Sequence, residues 1–443
     1  VYVFFFYLVK FEETDNIMRN LFSILLLYIA LMSASSSCQT GRRGGDWTHF
    51  RGSNLDGISH DKSAPIHWTE TDNIAWKSAM EGRGWSSPVV YNGQVWYTTA
   101  TPDGKEMFAV CTDFSTGQNL FNVKVFQPDT LYRKNAINSY ATPTPCIEDD
   151  FVYVHFGRYG TACLSTETGQ IVWSRTDMQC EHVQGPASSP ILYKNLLILH
   201  LEGSDIQYII ALEKSTGETV WRTDRPAGLM DKLEWIGKKA YITPIIVEVN
   251  GKDMLISNGS AVCIAYDPET GKEIWRIVQG EDSTISMPSE EDGIVYFYTS
   301  FVTPPDGDPY AELLAVDPNG QGDIAATNII WRIKSPILQL LSPLVKDGLI
   351  YTIDTQGTLL CIDTKTGETV WSEKLKGKYN SSPIYIAGHI YFSSIRGETL
   401  VIKEGRALEV VARNHLEGEI WATPAVVDGS ILMRTSKYLY KIQ

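Results

Sequence analysis

The chain has 443 residues, 43% hydrophobic and 20% charged, with 38 Lys and Arg against 52 Asp and Glu for a formal net charge of −14. That composition describes a folded globular protein and excludes disordered, collagen-like and disulfide-framework chains. It also lacks the basic footprint on which general DNA or RNA binding depends, so nucleic acid is not expected as a partner.

In chain order, the first recognisable segment starts at Met18, where Arg19 precedes the apolar run Leu21 to Met32, then SASSS and Cys38. A charged start, 12 apolar residues and a small-residue stretch have the form of an export signal. The run is too short to span a bilayer, which takes about 20 residues. The arrangement resembles a bacterial lipoprotein signal, implying cleavage before Cys38, lipid on that cysteine and a membrane anchor. Ser35-Ser36-Ser37-Cys38 lacks Leu three positions before the Cys, which keeps simple secretion as the alternative. Residues 1–37 are read as an upstream extension plus signal peptide, 38–72 as a linker and capping segment, and 73–443 as the folded domain.

From there one unit repeats: a small residue, an acid two positions on, Thr-Gly, and an aromatic four residues after the Gly. It appears as CTDFSTGQNLF ending at Phe121, CLSTETGQIVW at Trp173, ALEKSTGETVW at Trp221, AYDPETGKEIW at Trp275 and CIDTKTGETVW at Trp371. A looser copy, AVDPNGQG, leads to Trp331. The glycines 117, 169, 217, 271 and 367 stand 52, 48, 54 and 96 residues apart, a period near 50 with one interval doubled. Flanking runs such as VVYNGQVWYTT alternate apolar and polar residues, which is strand and hairpin signal. Each unit reads as four strands, with the Thr-Gly turn joining the third to the fourth.

A second series supports the count. Ser-Pro, Thr-Pro or Met-Pro opens a strand at prolines 88, 145, 190, 244, 288, 343, 383 and 424. Proline cannot donate to a ladder, so these eight strands should lie at a sheet edge, as the innermost strand of a propeller blade does. Only three strands follow Pro424, and Asn73-Ile74-Ala75-Trp76-Lys77 stands alone before the first blade. The expectation is an all-β, eight-bladed propeller of four-stranded antiparallel blades, closed by that N-terminal outer strand.

These residues resemble the tryptophan-docking repeat of the pyrroloquinoline quinone (PQQ)-like propellers over about residues 74–443. The segments DWTHFRG (46–52), GWSSPVV (84–90) and RKNAINSYATPTP (133–145) are most similar to exported PQQ-binding-like members of unassigned activity. The resemblance implies that Trp76, Trp173, Trp221, Trp275, Trp331 and Trp371 dock blade on blade. Members that oxidise alcohols use PQQ, Ca²⁺ and a disulfide between adjacent cysteines. This chain has no Cys-Cys pair and no CxxCH for a c-type haem.

Cys111, Cys163 and Cys361 occupy the small-residue position of the repeat, and with Cys146, Cys180 and Cys263 they are expected to be free, buried thiols. The eight histidines form no close pair, so no metal site is expected. Loops on one face of the ring should gather Trp85, Tyr140, Gln184, Trp235, Tyr379 and Trp421, then Arg158, Asp205, Asn258, Gln356 and Arg396, with Lys134 and Asn135. The expected binding set is Trp85, Lys134, Asn135, Tyr140, Arg158, Gln184, Trp235, Arg396 and Trp421; the other reading has these aromatics merely plugging the channel.

The leading expectation is a non-catalytic, monomeric propeller of the bacterial envelope that binds a protein or small ligand at its channel face. The alternative is a PQQ- and Ca²⁺-dependent dehydrogenase with metal ligand or base among Asp205, Glu234, Asp282 and Asp354. A carbohydrate-binding propeller is the third reading.

Overall fold

The computed structural model describes residues 46–282, 284–302, 306–335 and 340–443. The export signal and Cys38 lie outside the described residues. Eight sheets form, antiparallel through their four blade strands, and in seven of them these strands run in sequence order from inner to outer. In blade 1 these strands are Val89–Tyr91, Gln94–Ala100, Met107–Asp113 and Asn119–Phe126. Blades 2 to 7 occupy residues 146–175, 191–224, 245–278, 289–335, 344–374 and 384–415. Blade 8 comprises Ala425–Val427, Ser430–Arg434 and Tyr438–Ile442, completed by Ile74–Ala79, which runs two residues beyond the expected strand. Its register pairs Ile74 with Ile442 and Ala79 with Tyr438. The first residue of every inner strand follows one of the eight prolines, as a free inner edge requires.

The repeat motif is explained where blade meets blade. The acid folds the turn: Asp113 Oδ1 accepts the amides of Ser115 and Thr116 at 3.0 and 2.8 Å, and Asp267 and Asp363 do likewise. The glycine takes positive φ, 76° at Gly217, and seats an indole from the preceding blade; a Cβ there would lie 2.7 Å from the Trp173 ring. The indole nitrogens of Trp76, Trp173, Trp221, Trp331 and Trp371 then donate to carbonyls of the next blade's turn at 2.8 to 3.2 Å. Trp275 is fully buried, yet its Nε1 finds no acceptor, because the loose copy it faces lacks the Thr-Gly turn. The short strand Gly322–Asp323 pairs in parallel beside it instead.

Blade 7 breaks the pattern. Ala412 opposes Val401 at the position where Trp371 opposes Cys361 one blade earlier. The missing ring comes from the N-terminal segment. Trp68 is buried, stacks on Tyr391 with ring centres 6.3 Å apart, and joins one apolar cluster with Ala412, Leu432 and Leu439. Asn414 holds it there, accepting the Trp68 amide at 3.1 Å and donating to the Ile66 carbonyl at 2.8 Å.

Candidate functional site

The inner strands converge on a central channel, and the residue before each strand-opening proline faces it. Six bonds stitch these eight residues together in chain order, in two runs of four. The amides of Ser87, Thr144, Ser189, Met287, Ser342 and Ser382 donate to the hydroxyls of Thr144, Ser189, Thr243, Ser342, Ser382 and Thr423 at 2.9 to 3.0 Å. Ser or Thr is therefore placed here to satisfy the neighbouring blade's edge amide, a role the dipeptide series did not disclose. Met287 cannot accept such a bond and interrupts the ring.

Residues 47–59 cross the channel along the inner edges of five blades. Trp47 exchanges backbone bonds with Val90 of blade 1, and the Thr48 carbonyl accepts Ile147 of blade 2. His49 Nε2 accepts the Leu192 amide of blade 3 at 3.1 Å. Arg51, wholly buried, donates to the Ser342 and Pro343 carbonyls of blade 6 at 2.9 and 2.7 Å, and burial lowers its pKa to about 10. Gly57 accepts Tyr385, and Ile58–Ser59 adds a parallel strand to blade 7. Edge groups that would face a void are paired in this way.

Beside this crossing lies a cavity of about 370 Å³ whose wall includes Phe50, the hydroxyl ring and the blade-connecting loops. Of the expected binding residues, it brings together Trp85, Asn135, Gln184 and Trp421. The two indoles stack with centres 5.0 Å apart and planes at 12°, and the Arg83 guanidinium sits 4.9 Å from the Trp85 ring centre. Lys134 does not line the cavity; it donates to the Asn138 carbonyl at 2.9 Å, and burial and, secondarily, Arg83 lower its pKa. Tyr140, whose hydroxyl donates to the Tyr132 carbonyl, and Arg158, which lies 3.4 Å from the Tyr132 ring centre, stand outside the cavity. Trp235, 57% exposed, and Arg396, also exposed, do not line it, and Tyr379 is buried elsewhere.

The four carboxylates weighed for a calcium-bound quinone do not converge. Asp205 Oδ1 accepts the amides of Glu181 and Ile206, and Asp354 Oδ1 those of Gln356 and Thr358. Glu234 is exposed beside a short helical turn, and Asp282, the one on the cavity wall, pairs with Lys239. Among the described residues no group of three His, Cys, Asp or Glu is arranged to hold a metal ion. The residues present do not fit that cofactor pair. The six described cysteines are all free and buried.

Buried polar groups cluster instead between blades 2, 3 and 4. Glu202 and Arg225 form a fully buried ion pair, and Arg225 Nη2 donates to Ser257 Oγ at 2.7 Å. His200 Nδ1 meets the same Ser257 hydroxyl at 2.9 Å. Burial lowers His155 to about 3 and His182 to about 4, and pushes His200 well below the usual range. Sequence spacing gave no signal for this cluster, since its members meet only through blade packing.

A family model described as outer membrane protein assembly factor BamB matches residues 66–224, 206–325 and 313–440. The chain belongs to this family of PQQ-like propellers. A BamB-family relative from Yersinia pestis, an outer membrane protein assembly factor, is 21% identical over 266 residues, covering 50% of this chain and 66% of that protein. The match thus spans just under two thirds of the relative's own length. Among solved structures, BamB from Moraxella catarrhalis superposes with a TM-score of 0.58 at 11% identity, covering 83% of this chain and 99% of that one. A quinohemoprotein alcohol dehydrogenase from Comamonas testosteroni gives 0.66 at 13% identity, covering 91% and 81%. At such identities the two structures share the fold alone.

Proposed function

We propose that this member of the BamB family is a non-catalytic binding propeller of the bacterial cell envelope, with the channel mouth as its binding face. The observation that carries the reading is the cavity itself: indoles, amides and hydroxyls line it, while three of the four carboxylates weighed for a quinone site, Asp205, Asp354 and Asp282, are tied into turns or an ion pair and the fourth, Glu234, does not line the cavity. Family membership supports a place at the envelope and a part in outer membrane protein assembly. The export pattern supports maturation at Cys38 with lipid on its thiol, leaving residues 38–72 to lead into and cap a propeller of residues 73–443.

Removing the gene should lower the level of folded outer membrane β-barrels. The wild-type chain should restore it, and Gln184→Ala or Lys134→Glu should not, despite unchanged melting of the purified variants. Full restoration by both variants would refute the channel mouth as the binding face. Mass spectrometry of membrane-extracted protein should find an acylated Cys38; a different mature N-terminus would refute lipidation. The second reading, a quinone dehydrogenase, draws on the fold shared with the Comamonas enzyme. It predicts dye-linked alcohol oxidation on adding PQQ and Ca²⁺, where the binding reading predicts none.

A further inference from the structure

Polar groups at the mouth divide into committed and uncommitted ones. Asn138 is committed: its amide donates to the Gln184 and Pro186 carbonyls at 2.9 and 3.1 Å, and its oxygen accepts the Thr142 hydroxyl and the Ser139 amide. The Asn135 oxygen accepts the Ile137 amide at 3.1 Å. By contrast, among the described residues the side-chain amides of Gln184 and Asn380 and the Asn135 Nδ2 make no hydrogen bond, although all three residues line the cavity. Ser87 Oγ is a sharper case. The residue is 1% exposed, lies on the cavity wall, and its hydroxyl has no partner because the ring of amide-to-hydroxyl bonds is open there. A buried hydroxyl without a partner is costly unless a ligand or water supplies one.

Charge is uneven in the same place. In a chain of net −14, two cations stand beside the cavity without lining it: neither Arg83 nor Lys134 pairs with a carboxylate among the described residues, and the charge of Arg83 bears on Lys134. Neutral amides and hydroxyls beside stacked indoles suit a ring that is apolar on its faces and hydroxylated at its edge. Two cations on one side suit a single carboxylate on that ring. We infer that the channel mouth is a receptor for an acidic saccharide, a uronic acid unit whose ring lies against half-buried Trp421, whose hydroxyls meet Gln184, Asn380, Asn135 and Ser87, and whose carboxylate meets Lys134 and Arg83. This inference rests on the channel mouth being the binding face. The cavity's volume, about 370 Å³, falls within the range of roughly 300–1,000 Å³ that small-molecule sites occupy. A flat aromatic acid would leave the four polar groups unpaired, and sites built to hydrogen-bond a hydroxyl reject analogues that lack it.

Titration calorimetry of the full chain with galacturonate, glucuronate and their dimers tests this, with galactose, glucose and benzoate as comparison probes. Saturable binding of a uronate is expected, at least about tenfold tighter than the neutral sugars or benzoate, and weakened by added salt because the cations are partly exposed. Lys134→Gln and Gln184→Ala should each weaken it about tenfold without moving the melting midpoint. Absence of saturable uronate binding, binding indifferent to both variants, or benzoate binding more tightly would overturn the inference. Should Gln184→Ala and Lys134→Glu fail to restore β-barrel levels in cells while uronates do not bind, the binding face stands and the saccharide falls.

Discussion

The seam between blades 7 and 8 and the seam between blades 3 and 4 do the same job with different parts. At the second, Trp221 of blade 3 lies on Gly271 of blade 4 and donates to the Pro268 carbonyl at 3.1 Å, so the repeat supplies both halves. At the first, Ala412 leaves a hole, and Trp68, which belongs to no blade, fills it from outside the repeat. A repeat architecture needs each interface filled, and it does not specify which part of the chain does the filling. The N-terminal segment thus acts as an interface residue for one seam and as a cross-channel brace for five blades.

The comparison can be broken outright by opening the ring. Deleting residues 74–79 removes the outer strand of blade 8 together with Trp76, which covers the turn of blade 1. The loss of stability should exceed the ~4–5 kcal/mol that marks an exceptional point substitution. Calorimetry should show a broad, low transition; an unchanged sharp one would mean that the strand does not close the ring.

Single rings come next. Trp221→Ala and Trp68→Ala should each cost about 3–5 kcal/mol in chemical denaturation, as large buried truncations do. The two seams should then diverge. Ala412→Trp alone should overpack blade 7 and cost about 1–3 kcal/mol, whereas in the Trp68→Ala background the same change should recover stability. A stabilising Ala412→Trp in the intact chain would show that Trp68 does not fill the hole.

Acid should separate the seams more gently. His155, His182 and His200 are neutral by burial, so below the unfolded value near 6.5 the unfolded chain binds more protons than the folded one. Stability is therefore present above about pH 6.5 and falls as pH drops toward 3 to 4, by up to ~1.4 kcal/mol per histidine per pH unit. The seam of blades 7 and 8 carries no such group among the described residues, since His389 and His415 are only part-buried or exposed. Hydrogen exchange at pH 5 should rise in blades 2 and 3 first. The smallest effect belongs to the hydroxyl ring: Thr144→Val leaves the Ser87 amide without its acceptor and should cost about 1 kcal/mol.

The blade count, the docking indoles and the closing strand were legible because each repeats or completes a repeat, so spacing alone places them. Ser-Pro and Thr-Pro marked the inner strands through the proline, but the hydroxyl partner was hidden, because the amide it serves lies one blade away, 45 residues on between Thr144 and Ser189. Trp68, Arg51 and the Glu202–Arg225 pair had no periodic signal at all. For the candidate site, four of the nine expected residues, Trp85, Asn135, Gln184 and Trp421, line the cavity. Loop length decided the rest: Trp235 sits on a short helical turn, Trp235–Lys238, carried away from the channel, and spacing from the next strand says nothing of that excursion.

Joining the ends of the ring also sets a clock for folding. The Tyr440 hydroxyl reaches Glu70, 370 residues away along the chain, and Arg434 reaches back to the Ser86 carbonyl across 348. Contacts of such separation form late, after the entropy of closing a very long loop has been met. Seven blades can assemble as the chain emerges, while the eighth waits for Tyr438–Ile442 to arrive beside Ile74–Ala79. Until then the nascent propeller is an open arc with bare strand edges at both ends, and edge-to-edge association threatens it in just that interval.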